Sequence, residues 1–268
     1  MNGLPARPLG GGIMKQWSLF IDIEGFSKIY QAEKAKACKL LSGLMLDLYN
    51  IGTRIYPDYY NRLFIHQFGD GFIICPNPWD LNLAKPISIA IALMQATALR
   101  GGFARAAISH GEMADILGWY PKEIRDNLEG NYIVSLELGI MTIIPVMGDA
   151  LMNAYALSKC KPKGPRLLLD KEFESQLQDI KVSTVDRYDD HIGIDWMHSE
   201  ISLVSDILKK IDIDAPSSKD LEEIVRNYIT SNNKLSDEWK KSAEILIRGG
   251  KPSDNKEPVE QLRKNLRH

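Results

Sequence analysis

What the chain has little of narrows the field first. Its 268 residues include three cysteines, Cys38, Cys75 and Cys160, odd in number, widely scattered and without metal-ligand spacing. That pattern excludes a disulfide framework and reads as reduced thiols of a cytoplasmic protein. No apolar run is long enough for a membrane span. The stretch from Ile87 to Leu99 falls short and is interrupted by Ser88 and Gln95. Neither sign of charge dominates: 33 Lys and Arg face 35 Asp and Glu, a net charge of −2. Such a balance gives no general argument for a nucleic-acid or membrane-surface partner, and neither is expected. Residues 1–14, with Pro5, Pro8 and Gly10 to Gly12, lack the apolar core of a signal peptide and read as a flexible lead-in. Repeats and low-complexity segments are absent.

What is present is ordinary globular composition, 44% hydrophobic and 25% charged, enough for one domain plus an appendage. Gln16 to Ile23 reads as a strand buried on both faces, and helical periodicity follows from Ser27 to Ile55, ended by Pro57. Arg62 to Phe68 and Phe72 to Cys75 flank Gly69-Asp70-Gly71, a tight hairpin by its turn chemistry. Ala84 to Leu99 is a second helix, and Phe103 to Ser109 a fourth strand. The order β-α-β-β-α-β predicts an α+β fold with a ferredoxin-like core. Beyond it the sequence predicts a loop over 113–131, an apolar stretch over 133–146 and a helix over 148–159. Strands follow over 166–169, 180–185 and 192–196. Composition shifts near residue 200. Residues 199–250 read as a charged helical extension and 251–268 as a disordered tail.

The chemistry lies at the end of the first strand. Asp22 closes an apolar run, where an unpaired buried charge is expensive. In a β-α-β-β sheet that strand end lies beside the turn between the second and third strands, which carries Asp70. Each aspartate alone is a common structural feature, since Asp in turns caps its own backbone. Together, flanked by glycines, they make a hard, oxygen-only site suited to Mg²⁺ or Mn²⁺. Gly25 breaks the chain, and the turn Glu24 to Ser27 opens a helix whose free amides suit phosphate oxygens. Ser27 is placed to cap that helix.

Phe20-Ile-Asp-Ile-Glu-Gly-Phe-Ser27 and Phe68-Gly-Asp-Gly-Phe72 resemble the two metal motifs of the class III nucleotidyl cyclases. Arg105-Ala-Ala-Ile-Ser-His-Gly-Glu112 is similar to the strand and turn after that family's second helix. Pro145-Val-Met-Gly-Asp-Ala-Leu-Met-Asn153 is similar to the segment leading into the helix that reaches across its dimer interface. The resemblance covers about residues 17–196 and is strongest for the bacterial pyrimidine cyclases of anti-phage signalling. It implies a cyclase domain over 15–198 with two Mn²⁺ or Mg²⁺ ions per site, bridged by Asp22 and Asp70 and completed by the carbonyl of Ile23. It also implies phosphate contacts at Gly25, Phe26 and Ser27, and a homodimer with shared interfacial sites. The substrate would be UTP or CTP, and the cyclic product would act on a separate effector protein.

The departures carry information of their own. Where adenylate cyclases of this class read adenine with a lysine and a carboxylate, this chain has His66 and Pro145. His66 is therefore a candidate base contact. Asn153 stands one residue from the expected transition-state Asn, and Tyr155, Ala156 and Leu157 offer no Arg after it. Arg105 is the candidate replacement cation, set against an Arg that merely pairs with Glu112 or Asp149. The alternative reading is an inactive cyclase-homology module that binds nucleotide and dimerises. A diguanylate cyclase stands well behind, because Phe68-Gly-Asp-Gly-Phe72 lacks the second acid its hairpin requires.

Overall fold

A computed structural model of the chain describes residues 16–57, 62–76, 82–129, 132–144 and 146–249. The expected lead-in, the tail and Pro145 lie outside them. The first half runs β1 (Gln16–Ile23), α1 (Phe26–Ala32), α2 (Lys34–Asn50), β2 (Leu63–Phe68), β3 (Gly71–Pro76), α3 (Ala84–Leu99) and β4 (Ala104–Gly111). An arm follows with β5 (Ala114–Asp115), α4 (Lys122–Asp126), β6 (Leu128–Glu129), β7 (Ile133–Leu136), β8 (Gly139–Thr142) and β9 (Val146–Met147). Then come α5 (Asp149–Ser158), β10 (Leu167–Asp170), β11 (Thr184–Arg187), β12 (His191–Ile194), α6 (Ser202–Lys210), α7 (Ser218–Ser231) and α8 (Asp237–Ile247).

The main sheet has the order β11-β12-β10-β4-β1-β3-β2. Its β4-β1-β3-β2 part is antiparallel throughout, and β10 then joins β4 in parallel. The expected β-α-β-β-α-β core is thus present, and the protein is α+β. Three details differ from the expectation. The long first helix is two, because Glu33 leaves helical geometry (φ −151°) and returns its N–H to Ile29; a π turn at Ile51–Ile55 completes the pair. The expected loop over 113–131 holds short elements, and the apolar stretch after it is the β7–β8 hairpin. The strand expected over 180–185 begins instead at Thr184, because the chain turns at Ile180–Lys181, where Lys181 takes a left-handed φ of 54°.

One large core lies on the side of the sheet that carries Leu19, Ile21 and Ile23. Helix α3 is buried on nearly all sides, as a helix apolar all round should be, because α6 and α7 cover the face it turns from the sheet. Leu208, Leu221, Val225 and Trp239 of the helical extension share this core with β1 and β4. Among the described residues no helix is long and apolar enough to cross a membrane.

His198 clips the extension to the end of the sheet. Its ring lies 3.0 Å from Asp195 and 3.2 Å from Glu222 of α7. Burial alone would push this imidazole down, but the hydrogen bond to Glu222 and the charge and hydrogen bond of Asp195 outweigh it and raise the ring above its ordinary 6.5. A raised base stabilises the fold fully below the unfolded value and loses that contribution as pH rises through the folded one. The wild-type protein should therefore lose up to ~1 kcal/mol relative to His198→Asn between pH 6 and 8. Denaturant melts of both proteins across that range check it, and parallel pH profiles would refute it.

Candidate active site

Opposed residues on neighbouring strands share a face of the sheet. Asp22 pairs with Gly71 of β3 on one side and with Arg105 of β4 on the other. Phe68 pairs with Gly71, so Phe68, Gly71, Asp22 and Arg105 form one row across the sheet. The next row holds His66, Ile73, Phe20 and Ala107. Both rows face away from the main core, toward α5, where Phe20, Ile73, Ala150, Leu151 and Ala154 form a small cluster of their own.

The β2–β3 turn is two residues long, Gly69 and Asp70, and the positive φ falls on Gly69 (62°), the pattern of a type II′ turn. This turn delivers Asp70 to the end of β1. Gly71 is there for space: a Cβ on it would lie 2.7 Å from Phe20 Cζ and 3.1 Å from Asp22 Cβ. Gly71→Ala should therefore cost about 1–2 kcal/mol by overpacking. Chemical denaturation measures it, and an unchanged midpoint would show that the Phe20 ring moves freely.

Asp22 is half-buried and lies close to a second acid. Burial pushes its carboxyl above the ordinary range, Lys159 pulls it down, Asp70 pushes it up and Arg105 pulls it down; the balance is upward. A carboxylate whose ionised form is disfavoured beside another acid is a fitting receptor for hard divalent cations, which repay both penalties. Glu24 brings a third carboxyl, also raised by burial and opposed by Arg105. The residues present therefore fit a hard divalent cation.

The expected phosphate contacts divide. Gly25 caps α1 with a left-handed φ of 74°, and its carbonyl accepts from the amides of Lys28 and Ile29. Ser27 does not cap: it lies inside the first turn, no side chain caps this helix, and Gly25 holds the cap position. The amides of Phe26 and Ser27 open the helix and have no intrahelical acceptor, as at any helix start. Ile23 is buried at the last position of β1, paired with Ala104.

Arg105 is 4% exposed, and its guanidinium donates to the backbone carbonyls of Cys160 and Pro162, the latter at 3.1 Å. It pairs with neither Glu112 nor Asp149 in this arrangement; it braces the turn after α5. Asn153 lies at the opposite end of β1 from Asp22, donating at 3.1 Å to the carbonyl of His110, which pairs with Trp17. Within one chain, then, Asn153 is not at the acidic pair. His66 is on the acidic face, its ring pushed down by burial and its Nε2 buried with no partner among the described residues. That nitrogen is open to a further partner.

Sequence reasoning missed Lys159. Its Nζ sits 3.6 Å from Asp22 Oδ2, with the Phe20 and Tyr155 rings 5.4 and 4.7 Å away. A lysine one helical turn past Ala156 is visible in the sequence. That α5 folds back to bring it onto Asp22 of the same chain is not.

No protein-family model matches this chain, and no curated protein is recognisably related to it. Among solved structures it is similar to the catalytic core of a rhodopsin-guanylyl cyclase with converted specificity in complex with ATPαS (10% identity, TM-score 0.42, 68% of this chain and 95% of that one). It is also similar to a bacterial light-regulated adenylyl cyclase (12%, 0.39, 83% and 57%). A third is a class III adenylyl cyclase-like ATP-binding protein from Pseudomonas aeruginosa (10%, 0.41, 73% and 40%). At such low identity the functional reading of this chain rests on its own residues.

Proposed function

We propose that this chain is a cytoplasmic pyrimidine nucleotidyl cyclase that converts UTP or CTP to a 3′,5′-cyclic mononucleotide and pyrophosphate. The observation that carries the reading is the meeting of Asp22 and Asp70 at the end of β1, with the Lys159 ammonium 3.6 Å from Asp22. The motifs around both aspartates resemble those of class III cyclases, and His66 stands where an adenine-reading lysine would. The cyclase unit would span 15–198, with 199–250 as an extension, and the product would signal to a separate effector in antiviral defence.

Asp22 and Asp70, with the Ile23 carbonyl, would hold two Mn²⁺ or Mg²⁺ ions, which when bound offset triphosphate charge and acidify the attacking hydroxyl. The ribose 3′-hydroxyl gives up its proton to solvent, and its oxygen forms a bond to the α-phosphorus as the bond from that phosphorus to the β-phosphate bridging oxygen breaks and pyrophosphate leaves. The amides of Phe26 and Ser27 face the terminal phosphates. Lys159 supplies the cation in cis, moving from Asp22 to phosphate oxygens, while Arg105 braces its turn through the Cys160 and Pro162 carbonyls. His66 lies in the next row, where a base edge would be read.

A second copy completes the site. Among the described residues α5 is the main cover of this face, and Phe68 (45% exposed), Met152 (65%) and Tyr155 (48%) stay open to solvent. A two-fold pair would cover these residues and bring Asn153 toward the partner's acidic pair. Light scattering should give twice the chain mass, and a monomer under assay conditions would refute this part.

Incubation with each of the four NTPs and Mn²⁺, with the products identified, tests the whole. Cyclic product from UTP or CTP is expected; none from either pyrimidine refutes it. The engagement of Arg105 by backbone carbonyls favours one other reading, an inactive module that binds nucleotide. Thermal stabilisation by nucleotide without turnover would identify that.

A further inference from the structure

A second ligand set converges next door, made of different chemistry. Cys160 follows α5, and Asp190 and His191 lie at the β11–β12 turn. The Cys160 sulfur, an Asp190 carboxylate oxygen and a ring nitrogen of His191 lie within 4.8 Å of one another. Asp22 and Asp70 offer only hard oxygen; thiol, imidazole and carboxylate together are the mixture zinc prefers.

His191 is built into the fold rather than loose on its surface. It is 3% exposed, and the Tyr188 ring stacks on it at 4.5 Å and 21°. Its Nδ1 is 2.7 Å from Asp190 Oδ1, and its Nε2 is buried with no partner among the described residues. A buried ring nitrogen without a partner costs stability, and a metal would remove that cost. For Nε2 to ligate beside Asp190, the exposed Asp190 carboxylate exchanges its contact with Nδ1 for the ion. Cys160 is only partly buried, so an ion arriving from solvent can reach it.

We propose that Cys160, Asp190 and His191 form a zinc site, separate from the acidic pair, with its fourth position left to water. Occupied, it ties the end of α5 to the β11–β12 hairpin, one residue from Lys159. The site does not depend on the cyclase reading.

Cobalt provides the readout, because a thiolate ligand gives Co²⁺ a charge-transfer absorption that oxygen and nitrogen ligands do not. The full chain is used with Cys38→Ser, which removes the exposed thiol. Cys75 does not compete, being 1% exposed with its thiol pushed up to about 12. Stoichiometric Co²⁺ should give the absorption and Zn²⁺ should bleach it. Cys160→Ser should abolish it, and Asp70→Asn should leave it intact. His191→Gln should weaken Zn²⁺ at least about tenfold. Asp190→Asn, at an exposed position, should do the same if the buried His191 variant fails to fold. No absorption in the parent, an absorption that survives Cys160→Ser, or unchanged Zn²⁺ affinity in the folded variant overturns the proposal.

Discussion

Replacing Asp70 with asparagine is expected to lower cyclic-nucleotide formation at least about a thousandfold, ~4 kcal/mol at the transition state, while the fold stays intact. Asp70 sits, partly buried, in a two-residue turn outside the strand ladder. Asparagine keeps its shape and turn preference and removes only the charge. What that charge does in the metal-free protein is unfavourable, because it raises the Asp22 carboxyl together with burial. The sign follows. A carboxyl raised in the fold costs stability as pH climbs from its unfolded value through its folded one, and that cost stays in place above it. The Asp70→Asn protein should therefore be as stable as wild type at acid pH and equal or slightly more stable at pH 7. Two measurements decide it: product formation with Mn²⁺, and metal-free thermal melts at pH 4 and 7. An active variant would refute the metal assignment, and a large loss of stability would show that the turn itself needs the aspartate.

Lys159→Met is expected to cut turnover about a hundredfold, the loss seen when one charge-stabilising donor is removed from a transition state. Stability should change by less than ~1 kcal/mol, because the Lys159 side chain is 53% exposed and solvent screens its pair with Asp22. Methionine retains the packing against Phe20 and Tyr155 that an alanine would lose. Lys159→Arg should keep much of the activity. Steady-state kinetics and melts on the two variants separate the roles. A lysine that serves only as a counter-ion for Asp22 would leave kcat unchanged in Lys159→Met, and that result would sink its part in the mechanism.

How much of this was legible beforehand follows from the range over which each feature is encoded. The apolar run of β1, the Gly-Asp-Gly hairpin and the predominantly apolar α3 are local patterns, carried by residues two to four apart. They suffice for the order β-α-β-β-α-β, and that order places Asp22 beside Asp70. The break at Glu33 was missed because the apolar stripe runs on through it while the backbone does not. The cap expected from Ser27 fell to Gly25, whose left-handed backbone opens the helix earlier.

By itself, then, the sequence determined the ferredoxin-like core and the strand end and turn that bring two acids together. Only the tertiary structure decided what surrounds them. It turned Arg105 toward the carbonyls of Cys160 and Pro162, set Asn153 at the far end of β1, and brought Lys159 onto Asp22. It also gathered Cys160, Asp190 and His191. The reason is physical. Strand and turn propensities act between near neighbours, whereas the path of α5 across the sheet is set by the fit of Ala150, Leu151 and Ala154 against Phe20 and Ile73, residues some eighty to a hundred and thirty positions away.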